Sequence, residues 1–249
     1  MTRRSRVLLV TGGSRGIGAA IVRLATRHGW KVCFSFVSDH KAADLLVREL
    51  QLKGYDARSL QGDVTDETFP KRVFDYAETH LGPVEGVVNN AGITGPIGSF
   101  KDASMETVRR IVDVNLMGTM LISQEAIRRW ERSGTRGRIV NISSIASTLG
   151  APGEYVHYAA SKAAVEAFTI GLGKEVAAKG IRVNAVAPGT AYTDIHATAG
   201  EPNRPSRVVA RVPAARIAQP EEIAEGVVWL LSDKASYVNA TVLRVAGGL

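Results

Sequence analysis

Tyr158 and Lys162 stand four residues apart in the stretch Tyr158-Ala-Ala-Ser-Lys162. On a helix that spacing puts both side chains on one face, one turn apart. An ammonium beside a phenol favours the phenolate, and a tyrosine tuned in this way can give or take a proton near neutral pH. Taken alone, such a pair is more often the edge of an amphipathic helix than a catalytic couple. The surrounding chain has to decide between the two.

A second stretch with chemical meaning is Thr11-Gly12-Gly13-Ser14-Arg15-Gly16-Ile17-Gly18, spaced Gly-x-x-x-Gly-x-Gly. It follows an apolar run, Arg6 to Val10, and precedes a segment of helical periodicity, Ile17 to His28. Glycines between a strand and a helix permit a tight turn and let a pyrophosphate approach the backbone at the positive end of the helix. An enzyme using NAD usually carries an acid after the second strand to accept from the ribose hydroxyls. Here that strand runs on into Val37-Ser38, with no acid before Asp39, while Arg15 offers a fork suited to a 2′-phosphate. NADP is the expected cofactor and NAD the less favoured one.

The elements that must position these groups alternate regularly. Strands are expected at Arg6–Val10, Lys31–Phe36, Ala57–Gln61, Val84–Val88, Arg138–Ile142, Arg182–Val186 and Thr241–Val245. Helices are expected at Ile17–His28, Ala42–Lys53, Asp66–His80, Ser104–Arg132, Val156–Lys179 and Pro220–Leu231. This alternation predicts one α/β domain over residues 1–249, a doubly wound parallel sheet of about seven strands with helices on both faces. The one long irregular segment, Thr190 to Pro213, is expected to serve function as a lid over the substrate.

Composition narrows the class of function. Apolar residues make up 45% of the 249 and charged residues 22%, enough to bury a large core. A single cysteine, Cys33, excludes an internal disulfide framework and reads as a core thiol. The five histidines show no ligand spacing, so no metal site is expected. The net charge of +7 is scattered without aromatic interleaving, which argues against nucleic acid and for an anionic small molecule. The arginines at the N-terminus are followed by too short an apolar run for a signal segment, and no stretch approaches a membrane span, so a cytoplasmic location is expected.

Gly62-Asp63-Val64 and Asn89-Asn90-Ala91-Gly92 follow the third and fourth strands. With the glycine turn, Tyr158-x-x-x-Lys162 and Pro188-Gly189, the set resembles the short-chain dehydrogenase/reductase family over nearly the whole chain. The resemblance implies a Rossmann-type domain, nicotinamide-dependent hydride transfer, a small carbonyl or alcohol substrate and commonly a homotetramer. It is similar to members labelled glucose or ribitol dehydrogenases and 3-oxoacyl-carrier-protein reductases.

The resemblance further implies roles. Gly12, Ser14, Arg15, Gly16, Ile17, Gly18 and Ser38 would hold the nucleotide, Asp63 and Val64 its adenine, and Asn90, Ala91 and Gly92 would line the cofactor channel. Pro188, Gly189, Ala191 and Thr193 would clamp the carboxamide. Tyr158 would exchange the proton, Lys162 would lower its pKa and bind the nicotinamide ribose, and Asn115 would hold a water in a relay to Lys162. Ser144 would polarise the carbonyl, with Ser143 and Ser147 as rivals. As hydride arrives, negative charge grows on the carbonyl oxygen, and hydroxyls of Ser144 and Tyr158 placed there would stabilise it.

Two departures stand out. Ser144 precedes Tyr158 by fourteen residues where most relatives have thirteen, which locates an extra residue in Gly150-Ala-Pro-Gly-Glu-Tyr155. Near the C-terminus, Ala246-Gly247-Gly248 replaces the usual Asp-Gly-Gly. Rival readings are an NAD-dependent sugar or polyol dehydrogenase and a non-catalytic nucleotide sensor; the intact Asn115, Ser144, Tyr158, Lys162 set opposes the sensor. Asp194, His196, Glu201, Arg204 and Arg207 in the lid suit a polar substrate, and Arg136 with Lys179 could dock an acyl carrier protein.

Overall fold

A computed structural model of the chain describes residues 6–249; Arg3 and Arg4 of the N-terminal arginine group lie outside them. Strand β1 (Arg6–Val10) is buried along Val7 to Val10, which is why it reads as a continuous apolar run and not an alternating one. It lies inside a seven-stranded sheet, between β2 (Trp30–Phe36) and β4 (Val84–Asn89), with β3 (Ala57–Gln61), β5 (Arg138–Ile142), β6 (Arg182–Pro188) and β7 (Val242–Val245). Every pairing is parallel and the order is β3-β2-β1-β4-β5-β6-β7. The winding reverses between β1 and β4, and in such sheets the ligand crevice opens there, beyond the carboxyl ends of the strands.

Helices cover both faces. On one, α1 (Gly16–Arg27), α2 (His40–Leu52) and α10 (Pro220–Leu231) bury Ile21, Leu46, Leu50 and Val227 against Leu8, Phe34 and Val186. On the other, α3 (Phe69–Leu81), α5 (Gly118–Ser133) and the end of α7 (Val156–Val176) pack Phe74, Trp130 and Val176 on Leu9, Val87 and Ile139. Trp130 satisfies its one polar atom by donating Nε1 to the Val84 carbonyl at 2.7 Å. Cys33 is wholly buried, and burial pushes its thiol up to about 12, so it behaves as core.

Three expectations need correction. The helix expected to run unbroken over Ser104–Arg132 is α4 (Met105–Val112), a wide π turn at Asp113–Met117, and then α5. The extra residue in that turn lets Asn115 reach the backbone beyond β4, while Gly118 passes close to Val64: a Cβ there would lie 2.5 Å from Val64 Cγ2. The third helix begins at Phe69 and not at Asp66, because Asp66 folds back to accept from Thr68 N and Oγ1 at 2.9 and 2.7 Å. The segment from Thr190 to Pro213 is not irregular throughout; it holds two short helices, α8 (Ile195–Thr198) and α9 (Arg204–Val208). Among the described residues no helix is long and apolar enough to cross a membrane.

Candidate active site

The glycine turn leaves β1 with Thr11 N donating to Val88 O at 3.0 Å and Gly13 N to Ser35 O at 2.8 Å. Asn90 braces it from the end of β4, donating Nδ2 to the carbonyls of Thr11 (3.0 Å) and Gly12 (2.8 Å). The backbone N–H groups of Asn90 and Ala91 both donate to Thr11 Oγ1 at 3.0 Å. Arg15, the residue before α1, makes no capping bond, so the first N–H groups of that helix face the cleft without a side-chain acceptor. A Cβ on Gly12 would lie 3.1 Å from the Ala91 backbone. An uncapped helix N-terminus beside a backbone this close fits a dinucleotide pyrophosphate.

From this turn a cleft of about 810 Å³ runs across the strand ends to the segment 190–213. Each residue expected to bind the cofactor lines it: Gly12, Ser14, Arg15, Gly16, Ile17, Gly18, Ser38, Asp63, Val64, Asn90, Ala91, Gly92, Tyr158, Lys162, Pro188, Gly189, Ala191 and Thr193. At the far end of the turn, Arg15 is exposed at the cleft edge. Asp39 caps α2 by accepting from Ala42 N at 2.9 Å. Asp63 accepts from Thr65 N and Oγ1 at 2.9 Å and from Arg110 Nη2 at 2.6 Å. Burial alone would raise that carboxyl, but the Arg110 and Thr65 bonds outweigh it and hold the group low. Arg110, which also lines the cleft, reads in sequence as one more scattered surface cation. Nothing local could have marked it, because Asp63 lies 47 residues away.

At the other end, Tyr158 is 8% exposed and lines the cleft together with Ser144, whose hydroxyl acts to lower the phenol's pKa. The rival serines are engaged elsewhere, Ser143 Oγ donating to Glu166 Oε1 at 2.7 Å and Ser147 Oγ lying 2.6 Å from the same oxygen. Lys162, buried one turn along α7, has Nζ 5.8 Å from the Tyr158 ring centroid and donates it to Ile142 O at 2.7 Å. Burial pushes its ammonium down to about 8.

The surroundings of Tyr158 shift its own titration. Burial raises the phenol, outweighing the Ser144 hydroxyl and the charge of Arg204, which are the influences that lower it. Tyr158 is therefore neutral at physiological pH.

Asn115 is wholly buried behind the cleft wall, with its amide fully engaged. Its Oδ1 accepts from Ile93 N at 2.8 Å; its Nδ2 donates to Ile93 O and to Ser161 Oγ, both at 2.9 Å. It ties the loop after β4 to the helix that carries Tyr158 and Lys162.

Two further parts of the site, each marked in the sequence, take their form only in the fold. Gly150, Ala151 and Gly153 all have positive φ (74°, 46° and 73°), so the loop with the extra residue is sharply folded. That loop presents Glu154 to Arg204 of α9, and Tyr155 edge-on to Tyr158 with ring centroids 5.2 Å apart. His196 is buried, with Nε2 3.1 Å from Ala191 O. Lys179, half of the basic dock considered above, is paired with Glu131.

The chain was compared with known proteins. The family model described as enoyl-(acyl carrier protein) reductase matches residues 12–249. The uncharacterized oxidoreductase YgfF of Escherichia coli (strain K12) is 44% identical, covering 97% of this chain and 99% of that protein. Glucose 1-dehydrogenase 2 of Bacillus subtilis (strain 168) is 33% identical, over 98% and 94% respectively. A crystal structure of a variant actinorhodin polyketide ketoreductase with NADPH superposes with a TM-score of 0.92 at 34% identity, covering 98% of this chain and 97% of that one.

Proposed function

The chain belongs to the short-chain dehydrogenase/reductase family and is an NAD(P)-dependent oxidoreductase acting on CH–OH groups, and from that premise we propose that it reduces a ketone with NADPH, using Tyr158 as proton donor. The observation that carries the proposal is the buried phenol of Tyr158, lining the same cleft as Ser144 and Lys162. A phenol kept protonated is in the state a reduction needs, since the proton must be delivered as negative charge builds on the carbonyl oxygen. Ser144 Oγ donates to the same oxygen. Asn115 holds the loop and α7 in register as a positioning residue. Bound NADPH would supply the hydride. The direct test is NADPH consumption by the purified chain in the presence of simple ketones; binding without consumption would leave only a nucleotide sensor.

Lys162 supports the phenol as an ammonium, so the reductive kcat/KM depends on a group titrating near 8. Below that pH the charge is present; above it the charge is lost. The rate should therefore fall roughly tenfold per pH unit above about 8. A profile flat to pH 10 would remove Lys162 from this role.

NADPH is preferred over NADH in this reading because Arg15 borders the cleft while Asp39 is committed to capping α2. Arg15→Ala should raise KM for NADPH by roughly ten- to a hundredfold and leave that for NADH nearly unchanged. Parallel titrations with both nucleotides check it, and equal losses would point to a general defect of the turn. A homotetramer belongs to the same reading, supported by exposed Ala160, Ala167, Ile170 and Gly171 on α7, whose buried side is already in the core. The segment 190–213 acts in it as the lid.

A further inference from the structure

Three of the charges that suit a polar substrate in the sequence, Glu201, Arg204 and Arg207, are spent in the fold on ion pairs that run through Glu154. Glu154, with a side chain 12% exposed, accepts from Arg204 Nη2 at 2.6 Å and from Arg207 Nη2 at 2.7 Å. Burial alone would raise its carboxyl, yet the two arginines hold it below the usual carboxylate range. Arg207 also grips both oxygens of Glu201, at 2.5 and 2.7 Å. The Arg204 guanidinium lies over the Tyr155 ring, 5.2 Å from its centroid. His196 is set against Ala191 O, and Thr94 Oγ1 donates to Gly95 O at 3.0 Å. Asp194 and Arg211 stand exposed at the rim.

Apart from the threonines of the segment 190–213, what remains to border the space before Ser144 and Tyr158 is largely hydrocarbon. One apolar cluster holds Tyr155 and Tyr158 with Ile97 packed against it; another holds Val208 and Val212 of the lid with Leu249. Leu149 adds a side chain that lines the cleft and is left 54% exposed. A polyol placed here would bury hydroxyls among groups whose donors and acceptors are already used, and each unpaired hydroxyl opposes binding. A hydrocarbon body gains by leaving water for the same walls.

We infer that the substrate is a ketone whose body is hydrocarbon, with the carbonyl as its one polar group near Tyr158, and not a sugar or polyol. This rests on the ketone-reductase reading above. The Arg204–Glu154–Arg207–Glu201 chain of ion pairs holds the lid against loop 150–155 and so keeps the apolar walls together.

The test is a series of acetone, cyclohexanone and 1-decalone with NADPH, beside glucose and xylose assayed in both directions. The expected result is a kcat/KM that climbs by roughly tenfold or more from cyclohexanone to 1-decalone, with the sugars at least about a hundredfold below the best ketone. Leu149→Asn should lower the 1-decalone value by about fivefold or more with the affinity for NADPH unchanged. A flat ketone series, a sugar matching 1-decalone, or a Leu149→Asn series like that of the native chain would each overturn the substrate class while leaving ketone reduction in place. Binding of NADPH with no carbonyl turned over would overturn the reductase reading itself, and this inference with it.

Discussion

Tyr158→Phe should bind NADPH as the native chain does and reduce ketones about a thousandfold more slowly or worse. General acid catalysis by a positioned group typically supplies 10²–10⁴-fold, and Tyr158 also donates one of the two hydrogen bonds to the developing oxyanion. The substitution removes one oxygen and no volume that the core depends on. The ring stays packed against Ala146, Tyr155 and Ala159, with Ile97 beside it, so the fold should survive. Single-turnover mixing with NADPH fluorescence separates the two quantities. A variant retaining more than about a tenth of the native rate would mean that the proton comes from elsewhere.

Gly18→Ala should cost the cofactor its site. A Cβ at this position would stand 2.2 Å from the Gly12 carbonyl oxygen and 2.6 Å from Asn90 Nδ2. Neither contact is a flexible side-chain tip. The carbonyl belongs to the turn itself, and the Asn90 amide is held by its bonds to Thr11 and Gly12. The turn must therefore open, displacing the N–H groups that would cradle the pyrophosphate. The expected loss is about a hundredfold in NADPH affinity, or ~2.7 kcal/mol, together with an overpacking penalty of about 1–3 kcal/mol in stability. Gly98→Ala, where an added Cβ meets nothing within 4 Å, is the control and should leave NADPH affinity unchanged. Equal NADPH binding by Gly18→Ala and the native chain would show that the turn is not the nucleotide cradle.

The extra residue between Ser144 and Tyr158 illustrates how far reading the chain can go. Its place in Gly150–Tyr155 follows from counting, but its consequence does not. In the fold the loop turns through three residues of positive φ and delivers Glu154 to two arginines 50 and 53 residues onward. Glu201, Arg204 and Arg207 suggest a polar substrate until that pairing is seen.

The sequence by itself determines what depends on short spacing: the buried run of β1, the glycine turn beside α1, the shared face of Tyr158 and Lys162, and the strand–helix alternation that forces a parallel sheet. These follow from local geometry and hydrophobic period, which neighbours in the chain carry. The tertiary structure alone decides which of three adjacent serines meets Tyr158, because Glu166 takes the other two. It also sets the π turn at Asn115, the pairing of Asp63 with Arg110, and the direction in which Tyr158 titrates. Burial and charge act through space, and a phenol whose surroundings come from β5, α7 and the lid takes its proton affinity from all of them at once.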